Sequence, residues 1–177
     1  MASVAPLREE TGEEQSSYIL YRGGAGMHNT TFIKVAFFDL GGTLIGNNRD
    51  WIVGAQNTLV KLRAKHIRLG IISNTDKLSR PEILALLPPD FDMSLFERNL
   101  VLFSSEVKVK KPDPHIFLLA IERARVTASE CLFCTEERDH ITAANHVGMQ
   151  TVKVRKLPNS DIGELSEKLT TAGMLPV

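Results

Sequence analysis

The feature that most constrains this chain is an apolar run that ends in a carboxylate and two glycines, residues 33–44, IKVAFFDLGGTL. A nearly continuous run of β-branched and aromatic residues is typical of a strand buried on both faces of a parallel sheet. Asp39 follows this strand, and a turn through Gly41 and Gly42 lets the backbone approach a bound group closely. Asp39 is therefore a candidate nucleophile or metal ligand at the carboxyl edge of a sheet. The alternative is an aspartate that only caps the turn.

Strand and helix patterns alternate along the rest of the chain. Four further strands are predicted at 67–72, 99–103, 130–134 and 151–154. The helices between them are predicted to begin at Asp50, near Pro81, near His115 and near residue 138, and a last helix covers 160–172. This alternation predicts an α/β fold, with a five-stranded parallel sheet between two layers of helices.

Two regions differ in composition. Residues 1–31 are polar and carry no periodic apolar face, so we interpret them as a mobile N-terminal extension, with 32–177 as the core domain. Within the extension, Tyr18–Tyr21 either adds a short strand or docks on the body. The chain has 21 basic and 21 acidic residues, so no overall field favours nucleic acid or an anionic membrane. Without an apolar stretch of ~18 residues or a secretory signal, the predicted location is cytoplasmic and no membrane partner is expected.

The two cysteines, Cys131 and Cys134, have a spacing that also occurs in metal and redox motifs. They lie on a predicted strand, where residues three apart point to opposite faces, so the thiols are not expected to converge. A zinc site also needs a second ligand pair, and none is visible in the sequence. We predict two buried core thiols.

Polar residues follow four of the predicted strands and would meet at one edge of a parallel sheet. They are Asp39 to Thr43, Ser73 with Asn74, the lysines at 110–111, and the segment 135–140. In this order they resemble the four motifs of the haloacid dehalogenase superfamily, which is mostly phosphatases, over residues 33–155. The most specific piece is 105–117, SEVKVKKPDPHIF, which looks like the family's lysine loop with Lys111 at the lysine position.

The resemblance implies a Rossmannoid sheet of order 5-4-1-2-3 and a site for phosphoryl transfer. In the family the first aspartate, matched by Asp39, attacks phosphorus, and water then hydrolyses the aspartyl-phosphate. Ser73 and Lys111 match the residues that hold phosphoryl oxygens, and Asn74 helps to set their geometry. Gly41, Gly42 and Thr43, whose backbone amides follow Asp39, would complete a phosphate-binding set together with Asn74. As simpler alternatives, Ser73 caps a turn and Lys111 is a solvated charge.

Three positions depart from the family pattern. The family's second aspartate, which transfers a proton to the leaving group, is replaced by Gly41, and a glycine cannot transfer a proton. The two magnesium-binding acids of the fourth motif correspond to Thr135 and His140. Glu136, Glu137 and Asp139 are adjacent carboxylates, and Glu136 is the candidate that joins Asp39 in holding Mg²⁺, an ion that prefers oxygen ligands. His140 is predicted to be a helix-surface histidine, the alternative being a stand-in acid or base that faces the site.

The spacing of the motifs leaves no room for a cap domain. Only 34 positions separate Asp39 from Ser73, enough for a loop and one helix, so a dehalogenase with a helical cap is disfavoured. Two functions stay open. The first is hydrolysis of a phosphomonoester through Asp39, slow or specialised because acids are missing. The second is a non-catalytic protein that binds a phosphorylated ligand or a partner. An open site suits a phosphorylated small molecule or macromolecule.

Overall fold

The computed structural model describes residues 18–21, 32–154, 162–163 and 165–175. Its sheet has six strands in the order β1-β6-β5-β2-β3-β4. The strands are β1 (Tyr18–Tyr21), β2 (Val35–Phe38), β3 (Arg68–Ser73), β4 (Val101–Phe103), β5 (Cys131–Thr135) and β6 (Gln150–Val154). Strands β2 to β6 are parallel, which confirms the predicted five-stranded order 5-4-1-2-3.

The sixth strand, β1, was one of the two alternatives for Tyr18–Tyr21. It pairs antiparallel with β6, with Tyr18 opposite Val154. The edge of the parallel sheet is therefore covered by a segment of the predicted extension. The remaining residues of 1–31 lie outside the described part of the chain, so their mobility and the boundary at residue 32 stay predictions.

Helices separate the parallel strands, as expected. They are α1 (Ala55–Ala64), α2 (Arg80–Ala85), α3 (Ser104–Val107), α4 (Pro114–Ala124), α5 (Arg138–His146) and α6 (Leu165–Thr171), and three short 3-10 turns at 93–95, 98–100 and 128–130 add to them. Within the described residues, no helix is long and apolar enough to cross a bilayer.

The start of α1 differs from the sequence prediction. The helix begins at Ala55, after Gly54 at φ 76°, and not at Asp50. The reason is local pairing, because Ile45 bridges both Gly41 and Trp51, and residues 41–51 form a looped arm with a turn at 46–50. Trp51 packs there, with its ring 4.8 Å from that of Phe91. The stretch between β2 and β3 therefore holds only this arm and α1.

The core forms two hydrophobic layers, one on each face of the sheet. Alternate residues of β2 divide between them, Ala36 and Phe38 on one face and Val35 and Phe37 on the other. The first layer packs on α1 and α6, and the second on α4 and α5. Both faces of β2 are buried, which explains its continuous apolar sequence and places its carboxyl end at the centre of the sheet edge.

Candidate active site

Asp39 lies one residue beyond the central strand β2. Its backbone N–H donates to the carbonyl of Cys134 at 3.0 Å, which extends the ladder between β2 and β5 by one step. The residue is 7% exposed, so the carboxylate is almost completely buried. Its Oδ1 accepts a hydrogen bond of 2.9 Å from the N–H of Leu40. The strand therefore places a nearly buried carboxylate at the middle of the sheet edge.

Lys111 meets this carboxylate from the loop that precedes α4. Its Nζ lies 2.5 Å from Oδ2 of Asp39, and it also donates to the carbonyl of Ile72 at 2.7 Å. The ammonium group lies 5.3 Å from the centre of the Phe133 ring, a cation–π distance. Lys111 is 2% exposed, so the alternative of a solvated surface lysine is wrong.

Asn74 fixes the backbone of this lysine. Its Nδ2 donates to the Lys111 carbonyl at 2.8 Å, and its Oδ1 accepts from the Lys111 N–H at 2.9 Å. Asn74 thus acts on the position of Lys111, as expected from its place after β3. This amide clamp uses both polar atoms of the Asn74 side chain.

A second set of hydrogen bonds joins the loop after Asn74 to the start of α3. The N–H of Thr75 donates to Oγ of Ser104 at 2.9 Å, and the N–H of Ser105 donates to Oγ1 of Thr75 at 3.1 Å. Ser73 is the last residue of β3 and is buried. It directly follows Ile72, whose carbonyl accepts from Lys111, so the sheet brings Ser73 to the same edge as Asp39 and Lys111.

The buried pair has a defined electrostatic balance. Burial raises the pKa of Asp39, but the positive charge of Lys111 opposes this, and the pKa of Asp39 falls below its ordinary value. Burial lowers the pKa of Lys111, and the Asp39 carboxylate partly offsets that decrease. Asp39 is thus held as a carboxylate, the form that a nucleophile needs.

Two backbone amides of the predicted phosphate-binding set already donate hydrogen bonds within the turn after Asp39. The amide of Gly42 donates to the Ile45 carbonyl at 2.8 Å, and the amide of Thr43 donates to the Leu40 carbonyl at 3.3 Å. Among the described residues, the amide of Gly41 has no such acceptor. Of the three amides, that of Gly41 is therefore the one that can donate to a ligand while the turn stays closed.

The two glycines have different surroundings. Gly42 has a φ of 71°, and a Cβ there would overlap the carboxylate of Glu136. A Cβ on Gly41 would meet no atom within 4 Å. Gly42 is thus required by the backbone and by the close approach of Glu136. Gly41 borders open space, so a larger side chain can be accommodated there.

The segment after β5 supplies a hydroxyl and an imidazole to the site. Oγ1 of Thr135 donates to Oδ2 of Asp39 at 3.2 Å and accepts from the N–H of Glu137 at 3.3 Å. Nδ1 of His140, in the first turn of α5, lies 3.6 Å from the same Oδ2. The His140 side chain is 14% exposed, so the prediction of a helix-surface histidine is wrong and the alternative, that it faces the site, holds.

The residues present do not form a good magnesium site. Among the described residues, no three His, Cys, Asp or Glu side chains converge on one point. Around Oδ2 of Asp39 lie an ammonium, a hydroxyl and an imidazole, whereas Mg²⁺ prefers near-octahedral oxygen ligands. The carboxylate of Glu136 reaches Gly42. Its role as a second metal ligand stays a prediction.

A cleft of about 1150 Å³ opens beside the amide clamp that Asn74 forms on the Lys111 backbone. It is bordered by the loop after Asn74 and by the loop that leads to Lys111, and its lining includes Lys77, Lys108 and Lys110. Glu106 also lines it but is paired with Arg80 at 2.7 Å. The lysines of the lysine loop therefore have different surroundings, because Lys111 is buried against the Asp39 carboxylate, whereas Lys108 and Lys110 line the cleft.

The cysteines take no part in this site. Cys131 belongs to one hydrophobic layer and Cys134 to the other, so their side chains point to opposite faces of the sheet as predicted. Burial raises the pKa of the Cys131 thiol to about 12 and also raises the pKa of Cys134. Both are inert core thiols.

A carboxylate paired with a buried lysine thus lies at the edge of a parallel α/β sheet, the arrangement that the sequence resemblance implies. The family model for haloacid dehalogenase-like hydrolases matches residues 52–148, which is 97 of the 177 residues. The chain belongs to the haloacid dehalogenase superfamily. The match begins after Asp39, so the assignment does not depend on the nucleophile motif.

Curated relatives include phosphatases of phosphorylated small molecules. The chain is 38% identical over 103 residues to a glyceraldehyde 3-phosphate phosphatase of Pyrococcus abyssi, covering 57% of this chain and 41% of that protein. It is 26% identical over 99 residues to a phosphorylated carbohydrates phosphatase of Thermotoga maritima, covering 56% and 44%. The chain thus spans less than half the length of these relatives.

Solved structures share the fold. A haloacid dehalogenase family enzyme of Bacteroides thetaiotaomicron, solved with magnesium and inorganic phosphate, aligns with a TM-score of 0.60 at 18% identity. The alignment covers 75% of this chain and 98% of that one. A protein of Listeria monocytogenes serotype 4b aligns with a TM-score of 0.62 at 20% identity, over 78% and 98% of the two chains. These likenesses confirm the fold class.

Proposed function

We propose that this protein hydrolyses phosphomonoesters through a covalent aspartyl-phosphate on Asp39. The observation that carries the proposal is the buried contact of 2.5 Å between Asp39 and Lys111, at the sheet edge where the family places its phosphoryl group. Lys111 is positioned at its backbone by Asn74 and at its ammonium by Ile72, so little reorganisation is needed when a substrate arrives.

The chemistry has two steps. In the first, a carboxylate oxygen of Asp39 forms a bond to phosphorus while the bond from phosphorus to the leaving oxygen breaks. Lys111 and Ser73 offset the charge on the phosphoryl oxygens, and the amide of Gly41 is the backbone donor that remains for them. In the second step water attacks phosphorus, releasing inorganic phosphate and restoring the Asp39 carboxylate.

The leaving group determines how fast the first step runs. Because Gly41 has no proton to give, the departing alkoxide takes its proton from water. General acid–base assistance is typically worth ~10²–10⁴-fold, so esters of poorly acidic alcohols are expected to react slowly. Esters with a good leaving group need this assistance least.

The cleft beside the clamp is the proposed place for the rest of the substrate. Its volume of about 1150 Å³ and its open form suit a phosphorylated small molecule that carries a second anionic group. Lys77 and Lys110 line the cleft, while Lys108 already donates to the Ser105 carbonyl at 2.6 Å. A phosphorylated macromolecule is the wider alternative, since the cleft is not closed off from solvent.

The test is a turnover screen with matched variants. The purified chain is assayed with an activated aryl phosphate and with natural sugar phosphates, each in Mg²⁺ and in EDTA. We expect turnover on the aryl phosphate, and we expect Asp39→Asn to lower it by at least ~10⁴-fold, the scale for loss of a nucleophile. Binding of phosphorylated compounds without turnover of any ester would instead favour the non-catalytic alternative.

A further inference from the structure

The active-site region contains an unusual pair of polar atoms. Within the part of the chain that the structure describes, two buried side-chain polar atoms have no hydrogen-bond partner, Oγ1 of Thr43 and Nδ1 of His140. Buried polar atoms without partners are rare, because each one costs free energy of desolvation. Both of these residues belong to the segments that surround Asp39. Their common location indicates that a ligand supplies the missing partner.

The position of Nδ1 fits an oxyanion. Its distance of 3.6 Å from Oδ2 of Asp39 is too long for a direct hydrogen bond. The gap is short enough for an oxygen bonded to a phosphorus on Asp39 to lie at ~2.8 Å from Nδ1, the usual length of a charge-assisted bond. A phosphoryl group attached to Asp39 would therefore satisfy this nitrogen, which has no other partner.

The rest of the donor set supports the same conclusion. Lys111 and Thr135 approach Oδ2 of Asp39 at 2.5 Å and 3.2 Å, so all three groups around this oxygen are nitrogen or hydroxyl groups that can donate hydrogen bonds. A donor can offset charge on a phosphoryl oxygen directly, whereas a carboxylate at the same place needs a cation between it and the phosphate.

We propose that His140 is a phosphate-contacting residue, whose Nδ1–H donates to a phosphoryl oxygen held against Asp39, and that the site captures this oxyanion without a divalent cation. The inference rests on the proposed function and adds a ligand contact to it.

The experiment is calorimetric titration of the full chain with inorganic phosphate, in EDTA and in Mg²⁺. His140→Ala and His140→Phe remove the nitrogen, and His140→Phe keeps a ring in the same space. His140→Asn places an amide nitrogen near the position of Nδ1. His146→Ala, at the exposed end of α5, is the matched control. Melting curves establish that each variant is folded.

Wild-type affinity is expected to be similar in both buffers. Loss of a hydrogen bond to a charged group is expected to weaken phosphate binding by at least ~10-fold in His140→Ala and His140→Phe. His140→Asn should regain most of the affinity, and His146→Ala should match the wild type.

Three outcomes separate the two proposals. Phosphate binding that requires Mg²⁺ in the wild type overturns the inference and leaves the proposed function standing. Unchanged affinity in a folded His140→Phe protein overturns it as well. Absence of phosphate binding in both buffers, with no phosphorylated Asp39 after incubation with the aryl phosphate, contradicts both proposals.

Discussion

The two sides of the Asp39 site differ in how closely they match the motifs that the sequence resemblance predicts. On one side, β3 holds Lys111 by its ammonium, through Ile72, and the loop after β3 holds it by its backbone, through Asn74. On the other side, β5 and α5 present Thr135 and His140, at the two positions for which the sequence resemblance predicts acids. The residues that position Lys111 thus belong to different elements from Thr135 and His140. One set can change while the other is kept.

Among the changes that compare the two sides, the largest effect is expected from breaking the lysine side. Lys111→Met removes the ammonium that contacts Asp39, and loss of one such donor typically lowers turnover by ~10²–10³-fold. It also leaves a nearly buried carboxylate unpaired, so the free energy of unfolding should fall by ~3–5 kcal/mol. Assays with the aryl phosphate and chemical denaturation measure these losses.

A double variant controls for the change in stability. If Asp39 and Lys111 act as one pair, Asp39→Asn with Lys111→Met should lose less stability than the sum of the single changes. Full turnover in a folded Lys111→Met protein would show that the lysine side is not what holds the phosphoryl group.

Restoring acids on the other side should raise activity. Gly41→Asp adds a proton donor at a position with open space, and Thr135→Asp adds a carboxylate ligand for Mg²⁺. With Mg²⁺, the double variant should turn over a poor-leaving-group ester at least ~10-fold faster, the low end of acid–base effects.

Comparing esters with different leaving groups separates the effect of the added proton donor from the effect of the added metal ligand. The activated aryl ester should gain much less than the poor-leaving-group ester, because its leaving group needs no proton. Equal gains on both esters would indicate an effect of metal binding alone. No gain on either, in a folded protein, would favour the binding-protein alternative.

Substituting Gly41 and Gly42 separately tests which position of the turn requires a glycine. Gly42→Ala places a side chain at φ 71° and against Glu136, so we expect a loss of ~1–2 kcal/mol in the free energy of unfolding. Turnover should fall several-fold at the same time. Gly41→Ala is the matched control, and its unfolding energy should stay within ~0.5 kcal/mol of the wild type. Equal losses at the two positions would mean that Gly41 is constrained too.

The smallest effect is expected in the cleft. Lys77→Ala and Lys110→Ala should each raise KM by ~2–5-fold for a substrate with a second anionic group, since exposed charges contribute ~0.2–1 kcal/mol. The KM for the aryl phosphate should not change, and added salt should reduce the difference. Lys153→Ala, on β6, serves as the control. An equal rise for both substrates would place the anionic group elsewhere.

The sequence predicts the sheet well because its signals are local. The apolar run that ends in Asp39 is enough to predict a buried strand, and the basic, proline-bounded lysine loop is enough to predict a loop before a helix. The order of the parallel strands follows from the family resemblance. The start of α1 was missed, because a bridge between Ile45 and Trp51 overrides the capping signal of Asp50.

The site was predicted less completely, because its geometry depends on distant elements. No local pattern indicates that His140 points from α5 toward Asp39, or that the amides of Gly42 and Thr43 donate within their own turn. The one available signal for His140 is its position five residues after Thr135, where the family pattern has an acid.

The central claim is that Asp39 forms a covalent phosphoryl intermediate. The most direct measurement is to mix the chain with the aryl phosphate, quench it with acid within a turnover, and reduce it with borohydride, which converts an aspartyl-phosphate to homoserine and releases phosphate. Peptide mass spectrometry then locates the homoserine. We predict a modified peptide that contains Asp39 in the wild type and none in Asp39→Asn. Release of product in a burst with no label on Asp39, or a label on another residue that persists in Asp39→Asn, would contradict the account.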